Sequence, residues 1–109
     1  MAYDSGLYEI LKDDLGDRPD LAEKKMFGGI AFMLNGNMLC GVHKGGAMYR
    51  VGKEYEAAAL ALTGARKMDF TGRPMGGFID AGEEAMADDD TRAELLRLAV
   101  DFVSGLPAK

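Results

Sequence analysis

The chain has 109 residues, of which 48% are hydrophobic and 28% are charged, and its formal net charge is −5. This length and balance predict a single globular domain over residues 1–109 with one hydrophobic core. No run of basic residues is longer than a pair such as Lys24-Lys25. The charge pattern therefore disfavours direct nucleic-acid binding, which depends on clustered Lys and Arg.

Cysteine usage and the N-terminal residues predict a compartment. The single cysteine, Cys40, has no partner for an internal disulfide, and the first ten residues lack the basic and then apolar pattern of a signal peptide. No window approaches the roughly 20 apolar residues of a membrane span. We expect a cytoplasmic protein without a membrane segment.

The N-terminal half of the chain predicts a helix and then a meander of strands. Asp4 or Ser5 caps the helix, and Gly16 and Pro19 end it. The longest apolar run, KKMFGGIAFML, predicts a central strand over residues 24–34, with residues 21–23 as its approach. Asn35-Gly36 predicts a type I′ turn into residues 37–44, and Gly45-Gly46 a turn into residues 47–51. The result is a three-stranded meander over residues 24–51.

Two-residue turns would make this meander apolar on both sides, because side chains alternate along strands. One face would carry Ala31, Met33, Met38, Cys40, Val42, Tyr49 and Val51. The other would carry Met26, Ile30, Phe32, Leu34, Leu39 and Met48, interrupted by His43 and Arg50. Helices in so short a chain cover one face, so the second face predicts self-association or a protein partner.

The second half of the chain predicts a helix over residues 53–62, strands over 66–70 and 77–80, and a last helix. The strands are joined by TGRPMG, where Gly72, Pro74 and Gly76 argue against regular structure. Thr91 and Glu94 form a capping box for the last helix. The fold class is thus a two-layer α+β domain in the order helix, three strands, helix, two strands, helix.

Candidate catalytic and metal-binding groups are sparse. Cys40 and His43 are three residues apart, which on one strand places them on opposite faces and argues against a metal pair or a Cys/His nucleophile. The glycine pairs match no phosphate-binding motif, and the acids of the C-terminal half read as solvated charge. We therefore predict no metal, no cofactor and no enzymatic activity. Arg73, between a glycine and a proline, and the adaptable methionines Met26 and Met75 are candidates for partner contact.

Two motifs, KKMFGGIAFMLNGNM at residues 24–38 and GRPMGGF at 72–78, together with MYRV at 48–51, resemble the N-terminal domain of TfoX/Sxy-type bacterial competence regulators. The signature residues are Met26, Phe27, Gly28 and Gly29 in the first motif, and Gly72, Arg73, Pro74 and Met75 in the second. The resemblance implies a secretion-chaperone-like α+β domain that forms a homodimer. Full-length regulators of this kind carry a second, helical domain, which we expect this chain to lack.

Two functional hypotheses follow. In the first, the chain is a regulatory module that binds a protein, such as one of the transcription machinery, through the apolar sheet face and the two signatures. In the second, it is a small-molecule binder or an enzyme of unfamiliar type, in which Arg73 holds an anionic ligand in a cleft and His43 acts as acid or base.

Overall fold

A sheet of six antiparallel strands, in the order β1-β2-β3-β4-β6-β5, organises the computed structural model. The structure describes residues 5–18, 20–26, 29–43, 45–70 and 73–107. The elements in chain order are α1 (Ser5–Leu15), β1 (Leu21–Met26), β2 (Gly29–Leu34), β3 (Asn37–His43), β4 (Gly46–Arg50), α2 (Gly52–Leu60), β5 (Ala65–Phe70), β6 (Arg73–Ala81), α3 (Glu83–Ala87) and α4 (Asp89–Ser104). The predicted α+β class is confirmed.

The prediction of one central strand over residues 24–34 is wrong. This run forms a hairpin in which Met26 pairs with Gly29, so the chain reverses direction between β1 and β2. Residues 21–23, predicted as the approach to that strand, are the first half of β1. The meander therefore has four strands. Its polar first strand, with Glu23, Lys24 and Lys25, suits the edge of the sheet, where charge opposes pairing with other chains.

The turns after β2 and β3 differ in how well the sequence predicts them. Asn35 and Gly36 both have positive φ, at 54° and 81°, which confirms the type I′ turn. His43 pairs with Gly46, so Gly46 already belongs to β4 and the turn lies one residue earlier than predicted. Lys44 lies outside the described residues.

A β-bulge in β3 changes the predicted faces of the sheet. Phe32 pairs with Cys40 whereas Met33 pairs with Met38, which leaves Leu39 as the extra residue. Leu39 and Cys40 both belong to the core as a result. The bulge places Ile30, Phe32 and Leu34 on the same face as Cys40, Val42 and Tyr49. The register predicted without a bulge had placed these two sets on opposite faces of the sheet.

In the described part of the chain, helices α1 to α4 pack against one face of the sheet and bury the main hydrophobic core. Two cross-strand rows form its floor: Phe32, Cys40, Tyr49 and Ile79, and Ile30, Val42, Ala47 and Ala81. The helices add Leu11, Leu15, Ala59, Ala85, Met86, Leu95, Leu98, Ala99 and Val103. At about 25 cal/mol per Å² of apolar area, this burial is the main source of stability. No helix in the described part of the chain has the length and hydrophobicity to cross a bilayer.

The remaining differences concern the second half of the chain. The strand β6 begins at Arg73, so part of the predicted TGRPMG loop is strand. Glu83 and Glu84 open the short helix α3, which the sequence did not predict. Helix α4 is capped by Asp88 in place of Thr91: the Asp88 side chain accepts hydrogen bonds from Asp90 N at 3.2 Å and Thr91 Oγ1 at 2.9 Å.

Candidate interaction surface

The second face of the sheet, hereafter the open face, is covered by no helix among the described residues. Its centre is apolar: Ala31 is fully buried and Met48 is 6% exposed, yet neither belongs to the helix-side core. Met33 and Met38 are half-buried beside them and also lie apart from that core. The long, flexible side chains of Met33 and Met38 are partly exposed, which suits them to contact with another protein.

One row of the open face crosses all six strands. The register aligns Lys24, Ala31, Gly41, Met48, Asp80 and Arg66 in that order. Ala31 and Gly41 on β2 and β3 are small, and they and the neighbouring Met48 are buried within the chain. Charged side chains occupy both ends of the row.

A polar cluster closes one end of the open face. His43 Nε2 lies 2.8 Å from Asp80 Oδ1, and Arg66 Nη2 lies 3.0 Å from Asp80 Oδ2. Burial opposes ionisation of Asp80, but the hydrogen bonds from His43 and Arg66 and the positive charge of Arg66 outweigh it and lower the pKa of Asp80. Sequence analysis missed this cluster, because no local pattern indicates that β4 and β6 are neighbours.

Both ring nitrogens of His43 are engaged. The Gly45 N–H donates to Nδ1 at 3.1 Å, so Nδ1 is unprotonated and Nε2 carries the proton donated to Asp80. An imidazole held in this way has no free nitrogen for a substrate. The structure also places Cys40 on the helix-covered face, opposite His43, as the sequence predicted. Burial raises the pKa of the Cys40 thiol, which disfavours a reactive thiolate.

The two signatures lie at opposite corners of the sheet. Met26 and Gly29 form the end of the β1-β2 hairpin, at the end of the sheet that contains His43. Arg73, Pro74 and Met75 begin β6 at the other end, and about four strand spacings of ~4.8 Å, or roughly 19 Å, separate the two hairpins laterally. Phe27, Gly28 and Gly72 lie outside the described residues. The structure thus does not unite the signatures in one patch, and their contact with a partner stays a prediction.

Gly29 in the first signature and Gly77 in the second motif have structural roles. A Cβ on Gly29 would lie 1.9 Å from the Val42 carbonyl oxygen, so only glycine allows this approach of β2 to β3. Gly77 has a φ of +83°, and a Cβ there would lie 3.1 Å from Gly52 Cα at the start of α2. The Gly77 N–H donates to Glu56 Oε2 at 2.8 Å. These glycines bring backbone segments together.

A surface cleft of about 390 Å³ lies beside the second motif. Its described lining residues are Arg50, Gly52, Lys53, Glu54, Gly76, Gly77, Phe78 and Phe102. The Arg50 guanidinium lies 5.8 Å from the Phe78 ring centroid and 5.6 Å from that of Phe102, which orients this cation at the cleft. Arg50 and His43 lie at opposite ends of adjacent strands, so the cleft does not unite His43 with the motif.

Comparison with known proteins gives one finding. The family model of the TfoX N-terminal domain matches residues 13–103, which is most of the chain and confirms the resemblance predicted from the two motifs. No curated protein and no solved structure matches the chain.

Proposed function

Since the chain belongs to the TfoX N-terminal domain family, we propose that it is a small, cytoplasmic, non-enzymatic regulatory module that acts by binding proteins. In this proposal the chain is a relative of bacterial regulators of competence and transcription. Its α+β domain is secretion-chaperone-like. Its partners are a second copy of itself and a protein of the transcription machinery.

The observation that carries this proposal is the open face. An antiparallel sheet that is packed on one side only normally presents polar side chains to water on the other. Here that face carries Ala31, Gly41 and Met48, which are buried, and the half-buried Met33 and Met38, which are the apolar side chains partly open to a partner. An apolar centre with charged residues at its ends is the usual layout of a protein interface. The two signature hairpins flank this face at its corners and are candidate additional contacts.

The alternative of a cleft formed by Arg73 and His43 is not favoured. His43 bonds to Asp80, whereas the partners of Arg73 and Asp80 on β5 are Phe70 and Arg66, which are four residues apart, or roughly 13 Å along that strand. Arg73 and the contact of His43 with Asp80 therefore lie towards opposite ends of β6. The engagement of both imidazole nitrogens also argues against acid or base chemistry at His43.

The test is quantitative co-purification of the tagged protein from its own bacterial cells, followed by mass spectrometry. Met33→Glu places a charge at the apolar centre of the open face, and Ala58→Glu places the same charge on the exposed surface of α2 as a control. We expect a protein of the transcription machinery to be enriched by the wild type and by Ala58→Glu but lost with Met33→Glu.

Equal recovery of that protein by folded Met33→Glu would contradict the use of the open face. Absence of any transcription protein from every sample would overturn the transcription partner. Replacing Arg73 with Ala tests the second signature separately: unchanged recovery would remove it from the proposed contact.

A further inference from the structure

The cleft beside the second motif lies where β6 leaves its regular pairing with β5. From Pro74 to Ile79, β6 advances five positions while β5 advances only two, which makes a large β-bulge. The bulge brings Gly77 against the start of α2, where the Val51 N–H donates to the Gly77 carbonyl oxygen at 2.9 Å. Strands β4 and β6 and helices α2 and α4 therefore meet around this cleft.

Arg50 is the best placed cation of the cleft. Its guanidinium lies near two half-buried rings, those of its β6 partner Phe78 and of Phe102 on α4. Among the residues that the structure describes, Arg50 has no carboxylate within salt-bridge distance and no acceptor for its N–H groups. A guanidinium presents five N–H donors in a planar fork that matches a carboxylate. The two rings thus orient a cation whose donors are free to bind a ligand.

The remaining side chains of the cleft indicate the charge and polarity of that ligand. Lys53 adds a second cation and Glu54 an anion, and neither has an ion-pair partner in the described part of the chain. Together with Arg50 they leave an excess of one positive charge. This excess suits a monoanion better than a phosphate monoester, whose charge at pH 7 is about −1.5 to −2. The walls formed by Phe78 and Phe102 suit an apolar body.

From these features we propose that the cleft binds a small organic monocarboxylate with an apolar body. The carboxylate accepts two hydrogen bonds from the Arg50 guanidinium, and the apolar body packs beside Phe78 and Phe102. The cleft volume of about 390 Å³ lies within the range of about 300–1,000 Å³ for small-molecule sites. The inference goes beyond the proposed function, because it assigns a ligand to a cleft that the proposed protein contact does not use.

The first experiment titrates the full chain with phenylacetate and follows the Arg50 Nε–H signal by two-dimensional NMR. We expect the wild type to bind with Kd below about 1 mM. Arg50→Met keeps the aliphatic length but removes the donors, so it should raise Kd at least about tenfold. Arg97→Met is the matched control, because Arg97 already pairs with Glu94 at 2.6 Å, and it should leave Kd within about twofold of wild type.

Changes in the ligand test its charge and its body separately. Phenylacetamide has the same shape without the charge and should bind at least about tenfold more weakly than phenylacetate. Acetate keeps the charge without the apolar body and should also bind at least about fivefold more weakly. Hexanoate, whose body is aliphatic, should shift the same Arg50 signal.

Two variants test the cleft without removing a cation. A Cβ on Gly76 would meet only the flexible Lys53 side chain, at 3.0 Å or more, so Gly76→Leu should fold and occupy part of the cleft. It should raise the Kd of phenylacetate at least about fivefold. Glu54→Gln removes the anion of the cleft and should lower Kd about two- to threefold. Circular dichroism establishes that each variant is folded.

Several results would overturn the inference. One is an Arg50 signal that neither phenylacetate nor hexanoate shifts at about 10 mM. Others are a wild-type Kd in folded Arg50→Met or Gly76→Leu, equal binding of phenylacetamide and phenylacetate, or tighter binding of inorganic phosphate than of phenylacetate. Weaker binding by Glu54→Gln would contradict the charge assignment and, with it, the monocarboxylate.

Discussion

Replacing Gly29 with alanine tests whether a signature glycine serves the fold. The added Cβ would lie 1.9 Å from the Val42 carbonyl oxygen and 3.2 Å from His43 Cα. Both are backbone atoms of β3, so no side-chain rotation relieves the overlap. The β2 and β3 backbones must separate where Gly29 approaches Val42.

The expected cost follows from what this separation breaks. One or two ladder hydrogen bonds are lost at about 1 kcal/mol each, and crowding adds about 1–3 kcal/mol. Alanine lowers the conformational entropy of the unfolded chain, which offsets this cost by about 0.4–1 kcal/mol. The free energy of unfolding should therefore fall by roughly 2–4 kcal/mol, which corresponds to a Tm lower by roughly 10–20 °C.

Urea unfolding followed by circular dichroism measures this change, and Gly45→Ala is the matched control. A Cβ on Gly45 would meet only the imidazole of His43 at 3.7 and 3.9 Å, which is ordinary contact. Its stability should stay within about 1 kcal/mol of wild type. A Gly29→Ala variant that unfolds at the wild-type midpoint would refute the close approach of β2 to β3 at Gly29. Gly29 would then again be a candidate for partner contact.

Three further predictions concern polar and buried groups. Arg92→Met removes the bond from Arg92 Nε to Asp14 Oδ2 at 2.9 Å and should lower the free energy of unfolding in urea by about 2–4 kcal/mol, because a half-buried carboxylate loses its partner. Arg97→Met, at an exposed pair, should leave the unfolding midpoint nearly unchanged, and equal losses for the two variants would contradict this assignment. The fold lowers the pKa of Asp80, so this carboxylate stabilises the protein fully above its ordinary pKa of 3.8, and the stabilisation is lost as the pH falls through the folded-state pKa. Asp80→Asn should therefore reduce the dependence of stability on pH in this acid range. An unchanged pH dependence would argue against the cluster of Asp80, His43 and Arg66. Cys40 should resist thiol reagents in the native protein and react fully in urea, whereas rapid native reaction would show that it is not buried.

The elements that the sequence predicted well are those with local determinants. The apolar stripe and end signals of α1, the Ala-rich pattern of α2, and the left-handed preference of Asn35-Gly36 all act within a few residues. The family could also be predicted, because its two motifs are short linear patterns. Each of these signals can be recognised in the sequence without knowing which residues pack against the element.

Tertiary structure decided the layout of the sheet and of the candidate surface. A glycine pair in an apolar run is compatible with one strand or with a hairpin. The pairing of β1 with β2 and of β2 with β3 shows that it is a hairpin. The bulge at Leu39 depends on the core, which draws both Leu39 and Cys40 beneath the helices. The contact of His43 with Asp80 spans 37 residues and requires β4 to pair with β6. Strand order and register arise from long-range packing, and a one-residue shift exchanges the buried and open faces, so local patterns could not assign the residues of the open face.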